Sequence, residues 1–131
     1  MIICCGEALM DMIPVVQPDG RNAFVPHTGG AIFNTAVALP AGMISGISRE
    51  AFGGQLAETL AASKVSTDLL VRSDLLTTLA IVHLVEGHAT YAFYDEGSAG
   101  RMITVADMPV LPADTSALYF GGISLVSLPA A

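Results

Sequence analysis

The run Thr28-Gly29-Gly30-Ala31-Ile32-Phe33-Asn34-Thr35-Ala36 constrains this chain more than any other segment. Residues 24–26 before it read as a short extended piece. Residues 32–39 after it read as a helix of small and apolar side chains, closed by Pro40. The glycine pair therefore marks a corner where a strand gives way to a helix. Glycine lets backbone amides approach a ligand that a side chain would hold off. Asn34 offers a donor and an acceptor together, which suits a polyhydroxylated ligand. The same residues also read as an ordinary strand-to-helix turn with a polar capping residue, and loop chemistry alone leaves both readings open.

The rest of the chain builds outward from that corner. Residues 2–9 are an apolar run of strand length, fit for a central parallel strand. If that strand continues, Glu7, Leu9 and Asp11 share one face. Residues 12–16 are apolar again and stop at Gln17-Pro18-Asp19-Gly20, a strong turn signal, so residues 12–26 read as a hairpin. Residues 44–47 are a brief apolar run. Residues 51–62 read as an amphipathic helix with Leu56, Leu60 and Ala61 on its apolar side and Glu58 opposite. A short strand is expected at 68–71. Residues 77–85 and 88–94, joined by Glu86-Gly87, form a second hairpin. Residues 95–100 are a polar loop, Thr104 caps a short helix, and residues 116–126 read as a buried strand containing Gly121-Gly122. Short strands alternating with helices favour an α/β core. The hairpins near 12–26 and 77–94 do not belong in a simple doubly wound sheet and point to a small antiparallel flap.

Composition narrows the class. The 131 residues suffice for one domain. Only 13% are charged and 53% are hydrophobic, with mean hydropathy +0.64, a balance typical of a sheet covered on both faces or a piece of a larger fold. The longest uncharged run, 28–48, is interrupted by Gly29, Gly30, Asn34, Pro40, Gly42 and Gly46, which argues against a membrane span. A net charge of -7 without any basic run argues against nucleic acid as a partner. No basic region precedes the first apolar stretch, so no signal peptide is evident. Cys4 and Cys5 are adjacent and point to opposite faces of a strand. They read as buried reduced thiols, consistent with a cytoplasmic protein. His83 and His88 lack the local spacing of a metal pair, and His27 is distant in sequence. Arg101 reads as a solvent-facing side chain. Gly-x-Gly-x-x-Gly is absent after the first strand, against a dinucleotide-dependent oxidoreductase. Segment 127–131 stops just after an apolar strand with nothing to cover it, so the chain is expected to be part of a larger fold.

Five segments in order carry a resemblance: Cys5-Gly6-Glu7-Ala8-Leu9-Met10-Asp11, the Gly29 to Ala36 run, Phe52-Gly53-Gly54-Gln55-Leu56, Thr77-Thr78-Leu79-Ala80, and Phe93-Tyr94 with Ser98-Ala99. Over nearly its full length the chain resembles the N-terminal part of ribokinase-like (PfkB-type) carbohydrate kinases, the fructokinases in particular. The resemblance implies an α/β fold: a Rossmann-type three-layer core with a small β-sheet lid, cut short at its C-terminal end. Residues 1–131 would be the N-terminal part of one sugar kinase domain, with the lid in the two hairpins. By the same resemblance Asp11 accepts hydrogen bonds from sugar hydroxyls. Gly29 and Gly30 let the backbone reach the sugar, Asn34 binds a hydroxyl, and Phe93 lies on the lid against the ring. The complete enzyme would use ATP and Mg2+ on a small-molecule sugar, and lid hairpins of this family can pair two subunits into a homodimer. The family's Gly-x-Gly-Asp, which carries the catalytic base and an anion hole, is absent, so no catalytic residue is expected in this chain. A truncated, non-catalytic sugar-binding or dimerisation module is the alternative. The stretch near 39–42 is shorter than the family pattern. Asp95 stands where several relatives have Arg, which argues against acidic sugars. Leu128 stands where related fructokinases often have Glu.

Overall fold

Residues 1–126 are described by the structure, a computed structural model; residues 127–131, and the readings that rest on them, lie outside the described residues. Strand β1 spans Ile2–Cys5. Its alternation sends Cys4 into a core with Ile32, Phe33, Met43, Leu56 and Leu60, and sends Ile3 and Cys5 to a second cluster with Ile44 and Leu69. Both cysteines are free and buried, and burial pushes both thiols above their ordinary range. The strand ends at Cys5 instead of running to residue 9. Residues 6–8 turn the chain, and β2 begins afresh as Leu9–Val16.

Strand β3, Asn22–Gly29, returns antiparallel to β2, with Leu9 opposite Gly29 and Val16 opposite Asn22. The turn is closed by the Gly20 N–H donating to the Gln17 carbonyl at 2.9 Å and by the Arg21–Asp19 ion pair at 2.8 Å. Helix α1, Ala31–Ala38, follows at once and buries Ile32, Phe33 and Ala36. Pro40 cannot continue a helix. Strand β4, Ala41–Ile44, starts directly after it, and β5, Gly46–Ser48, after one further residue. The stretch near 39–42 is thus a minimal helix-to-strand connection.

Helix α2 spans Ala51–Ala62 and buries Gly53, Leu56 and Leu60; Ala61 is exposed, outside the packed stripe. Glu50 caps it by accepting from the Phe52 N–H at 2.8 Å, and also accepts from the Thr77 hydroxyl. The strand expected at 68–71 begins only at its last residue. Residues 68–69 form a turn, and β6 is Val71–Ser73, parallel to β5.

Strands β7, Leu79–Val85, and β8, His88–Tyr94, form an antiparallel pair. Glu86 and Gly87 take positive φ, 50 and 80, the turn whose twist matches that of the strands it joins. Parallel pairing of Met10–Met12 in β2 with Leu79–Ile81 in β7 fuses both hairpins into one sheet, ordered β3-β2-β7-β8. At its base the Thr78 and Ser98 hydroxyls are 2.7 Å apart, and the Ala99 N–H donates to the Leu76 carbonyl at 2.8 Å. Arg101 does not stand free in solvent: it pairs with Asp95 at 3.2 Å.

Thr104 opens a 3-10 turn at Val105–Asp107, closed by reciprocal bonds with Asp107. Strand β9, Ala117–Phe120, completes the parallel sheet β4-β1-β9. It is only four residues long and exposed, Phe120 at 56%, where a longer buried strand was expected. Among the described residues β9 is an edge bonded to β1 alone, and past Gly121 the chain enters a 3-10 turn at Gly122–Leu125. Helices α1 and α2 cover one face of the sheet. On the other, Cys5, Ile44, Leu118 and Phe120 border an apolar hollow of about 310 Å³ with Met108 and Leu111. No helix among the described residues is long and apolar enough to cross a membrane.

Candidate functional site

A cleft of about 400 Å³ opens where the four-stranded sheet meets the start of α1. Asp11, Gly30, Asn34 and Phe93 line it together, drawn from three separate stretches of chain. Glu7 and Leu9 line it too, so the three residues expected on one strand face share one cleft even though the strand is broken between them.

Asp11 lies on β2 opposite His27 of β3. Burial pushes its carboxyl above the usual range, and the neighbouring His27 draws it partly back. Gly29 is not a wall of the cleft. A Cβ on it would overlap Asp11 Oδ2 and sit 3.1 Å from Asp11 Cγ, so the missing side chain gives room to the carboxylate. Gly30 adopts φ 111, and a Cβ there would lie 3.0 Å from the Glu7 carbonyl oxygen. The pair makes a corner that brings the first turn of α1 against residue 7. Asn34, in that turn, is exposed at the cleft, its own N–H held by the Gly30 carbonyl at 2.9 Å.

The opposite wall is aromatic. Tyr91 and Phe93 are two apart on β8, hence on one face, and their rings stack at 6.1 Å with 17° between planes. Gly122 and Ile123 close a further side. Sequence reasoning assigned no site role to Glu7, Tyr91, Gly122 or Ile123. Glu7 stood inside a quoted motif, Tyr91 is the alternate partner of Phe93, and only a glycine pair marked residue 122.

Chemically, the cleft offers a carboxylate, a carboxamide and close backbone on one side and flat apolar rings on the other. That combination suits a neutral polyol, whose hydroxyls donate to the acid while its C–H face meets the rings. It does not suit a nucleotide triphosphate. The cleft is lined by the acids Glu7 and Asp11 and by no basic side chain, and the nearby Arg101 is paired with Asp95. Among the described residues no group of three or more His, Cys, Asp or Glu is placed to hold a metal ion. Neither ATP nor Mg2+ therefore finds a seat in the residues lining this cleft.

No family model matches the chain. The chain is 52% identical over 134 residues to the fructokinase of Rhizobium leguminosarum bv. trifolii, across 98% of its own length and 41% of that protein's. The crystal structure of fructokinase from Xylella fastidiosa matches with a TM-score of 0.86 at 29% identity, covering 98% of this chain and 43% of that one. The same fructokinase with bound ATP matches with a TM-score of 0.75 at 32% identity, covering 82% and 37%. The chain thus spans less than half the length of the relatives it matches. With their α/β architecture and the ordered motifs that build the cleft, it belongs to the PfkB, ribokinase-like family of carbohydrate kinases and corresponds to the N-terminal part of its members.

Proposed function

We propose that this chain is the sugar-binding part of an ATP-dependent kinase whose substrate is fructose. The observation that carries the reading is the convergence of Asp11, Gly30, Asn34 and Phe93 on one cleft. In this reading Asp11 accepts hydroxyl protons in short charge-assisted bonds, Asn34 takes a further hydroxyl, and Phe93 with Tyr91 covers the apolar face of the ring. Gly29 serves by seating Asp11, and Gly30 by bringing the backbone to the sugar. The four-stranded sheet acts as the lid. Its closure excludes water, which would otherwise compete for the phosphoryl group. Two carboxylates in the cleft, and Asp95 at the end of β8, disfavour anionic sugar acids.

The nucleotide, its Mg2+, the catalytic base and the anion hole belong to parts that this sequence does not contain. Phosphoryl transfer rests on positioning and charge stabilisation at the phosphate, so the 131 residues bind and orient the sugar without turning it over. The missing Gly-x-Gly-Asp equally favours a second reading, a sugar-binding or dimerisation module without catalysis. Exposed Val16, Phe24, Val25, Leu84 and Val85 on the lid sheet favour a second copy of the chain as its partner, which gel filtration would register as a dimer.

The experiment is a coupled ADP-release assay on the intact gene product, with Asp11→Ala beside it. Fructose-dependent turnover with a KM raised about tenfold or more in Asp11→Ala supports the kinase. Fructose binding without turnover supports the second reading. Failure of fructose to bind at all refutes the kinase and the sugar-binding module and leaves the dimerisation module to gel filtration.

A further inference from the structure

Glu7 is an acid only 5% exposed, flanked by two glycines that lie 92 positions apart in the chain. On one side its Oε1 accepts the Ile32 N–H at 3.3 Å, in the first turn of α1. A Cβ on Gly30 would stand 3.1 Å from the Glu7 Cγ. On the other side a Cβ on Gly122 would overlap both carboxylate oxygens, and Gly122 also holds φ +70, where side-chain-bearing residues are strained. Among the described residues Glu7 Oε2 has no hydrogen-bond partner, although it is shut off from solvent. A buried carboxylate oxygen left unsatisfied is destabilising and calls for a reason.

We propose that Glu7 is a positioning residue of the cleft: it wedges the Asn34-bearing first turn of α1 against the Gly122 turn, and glycine at 122 is what gives the wedge its seat. The proposal deepens the sugar-binding reading, because Gly30, Asn34 and Gly122 are all walls of the same cleft. Glu7 acts through them. Its Oε1 satisfies an otherwise free helix-terminal donor and fixes the rotation of that turn, which in turn fixes where the Asn34 amide faces. The position of Gly122 follows from the same carboxylate, since the segment after β9 packs onto it without a side chain between. One buried acid thus sets the spacing of two walls, and the instability of its orphaned oxygen is tolerated for that geometry.

The test is a cycle of Glu7→Gln, Glu7→Ala, Gly122→Ala and the double variant Glu7→Ala/Gly122→Ala in the intact protein. Two readouts are taken: fructose affinity, and hydrogen exchange of the Ile32 amide without sugar. Gln keeps an acceptor for Ile32 and stays within about threefold of wild type in affinity. Ala at 7 weakens fructose binding roughly ten- to a hundredfold, the expected scale for a misplacement of about 1 Å, and exposes the Ile32 amide to exchange. Gly122→Ala alone does the same by pushing the carboxylate aside. The double variant falls well short of the summed single losses, because removing the acid removes the clash and leaves only the backbone strain of alanine at φ +70. Additive losses, an unchanged Ile32 exchange rate in Glu7→Ala, or a Gln variant as poor as Ala would each overturn the proposal. If wild type binds no fructose, the functional reading fails, and the Ile32 exchange still decides the wedge. Should Glu7→Ala not fold, Gly122→Ala with Glu7→Gln carries the same comparison.

Discussion

Gly29→Ala separates binding geometry from stability more sharply than any other single change. Gly29 is the last residue of β3 and pairs with Leu9. Its backbone lies outside the left-handed region, so alanine meets no conformational strain there. The added methyl instead lands on Asp11 Oδ2. An ordinary carbon–oxygen contact is about 3.3 Å, so the carboxylate must swing away by about 1 Å. Asp11 is the end of a short side chain and can yield without moving β2. A hydrogen bond to a charged group is worth about 1.5–3 kcal/mol, and losing one such bond to a hydroxyl weakens affinity by about 10- to 150-fold. Stability moves the other way or not at all. Glycine to alanine within a strand recovers about 0.5–1 kcal/mol of unfolded-chain entropy, which offsets the displaced carboxylate. Calorimetric titration of fructose into the intact gene product, with a thermal melt of the same sample, reads both quantities. The expectation is an affinity loss of one to two orders of magnitude with Tm unchanged within about 4 °C. Affinity retained within twofold, or lost only in step with Tm, would refute the assignment of Gly29 as the seat of Asp11.

Further expectations follow from the same geometry. Asp11→Asn abolishes most fructose affinity yet raises Tm near neutral pH. Burial lifts the Asp11 carboxyl, so its ionised form opposes folding above the ordinary value of 3.8, and the gain fades as pH falls toward that value and is gone below it, where both states are protonated; melts from pH 7 to pH 3 would trace this. Glu50→Gln behaves oppositely. Burial alone would raise the Glu50 carboxyl, but hydrogen bonds from the Thr77 hydroxyl and from the N–H groups of Phe52, Gly53 and Thr77 outweigh it and hold it below 4.5. Its stabilisation is therefore present above pH 4.5 and lost on acidification, so the Tm gap between wild type and Gln closes in acid. Ser45→Ala does not lower Tm, because the Ser45 hydroxyl is fully buried with no partner among the described residues. Phe93→Ala removes one ring of the aromatic wall and weakens fructose binding several-fold, the scale of about 1 kcal/mol for an aromatic face, with little change in melting.

Much of the fold was legible because local chemistry agreed with tertiary packing. Asp19-Gly20 and Glu86-Gly87 demanded turns, Pro40 ended α1, and the apolar stripe at Leu56 and Leu60 marked α2 over Ala51–Ala62. Strand limits were less readable. Residues 2–9 are apolar enough for one strand, yet Glu7 turns inward to α1 and breaks the run after Cys5. Residues 68–69 look extended but close a turn that lets β6 meet β5. Leu118 and Phe120 have the apolar character of a buried strand and lie exposed at a sheet edge, because burial depends on what packs alongside and not on the strand itself. At the site, Gly30 and Asn34 share one sequence motif and Asp11 stands in another. Glu7 and Gly122 become neighbours through the parallel pairing of β1 with β9, which no local spacing encodes.

A crystal structure of the intact protein grown with saturating fructose decides whether the cleft between α1 and β8 receives a sugar. The sugar is expected against Phe93, with hydroxyl oxygens about 2.5–3.2 Å from the Asp11 carboxylate and the Asn34 amide. A cleft left empty at saturating fructose, or fructose bound instead in the apolar hollow beside Phe120, would contradict it.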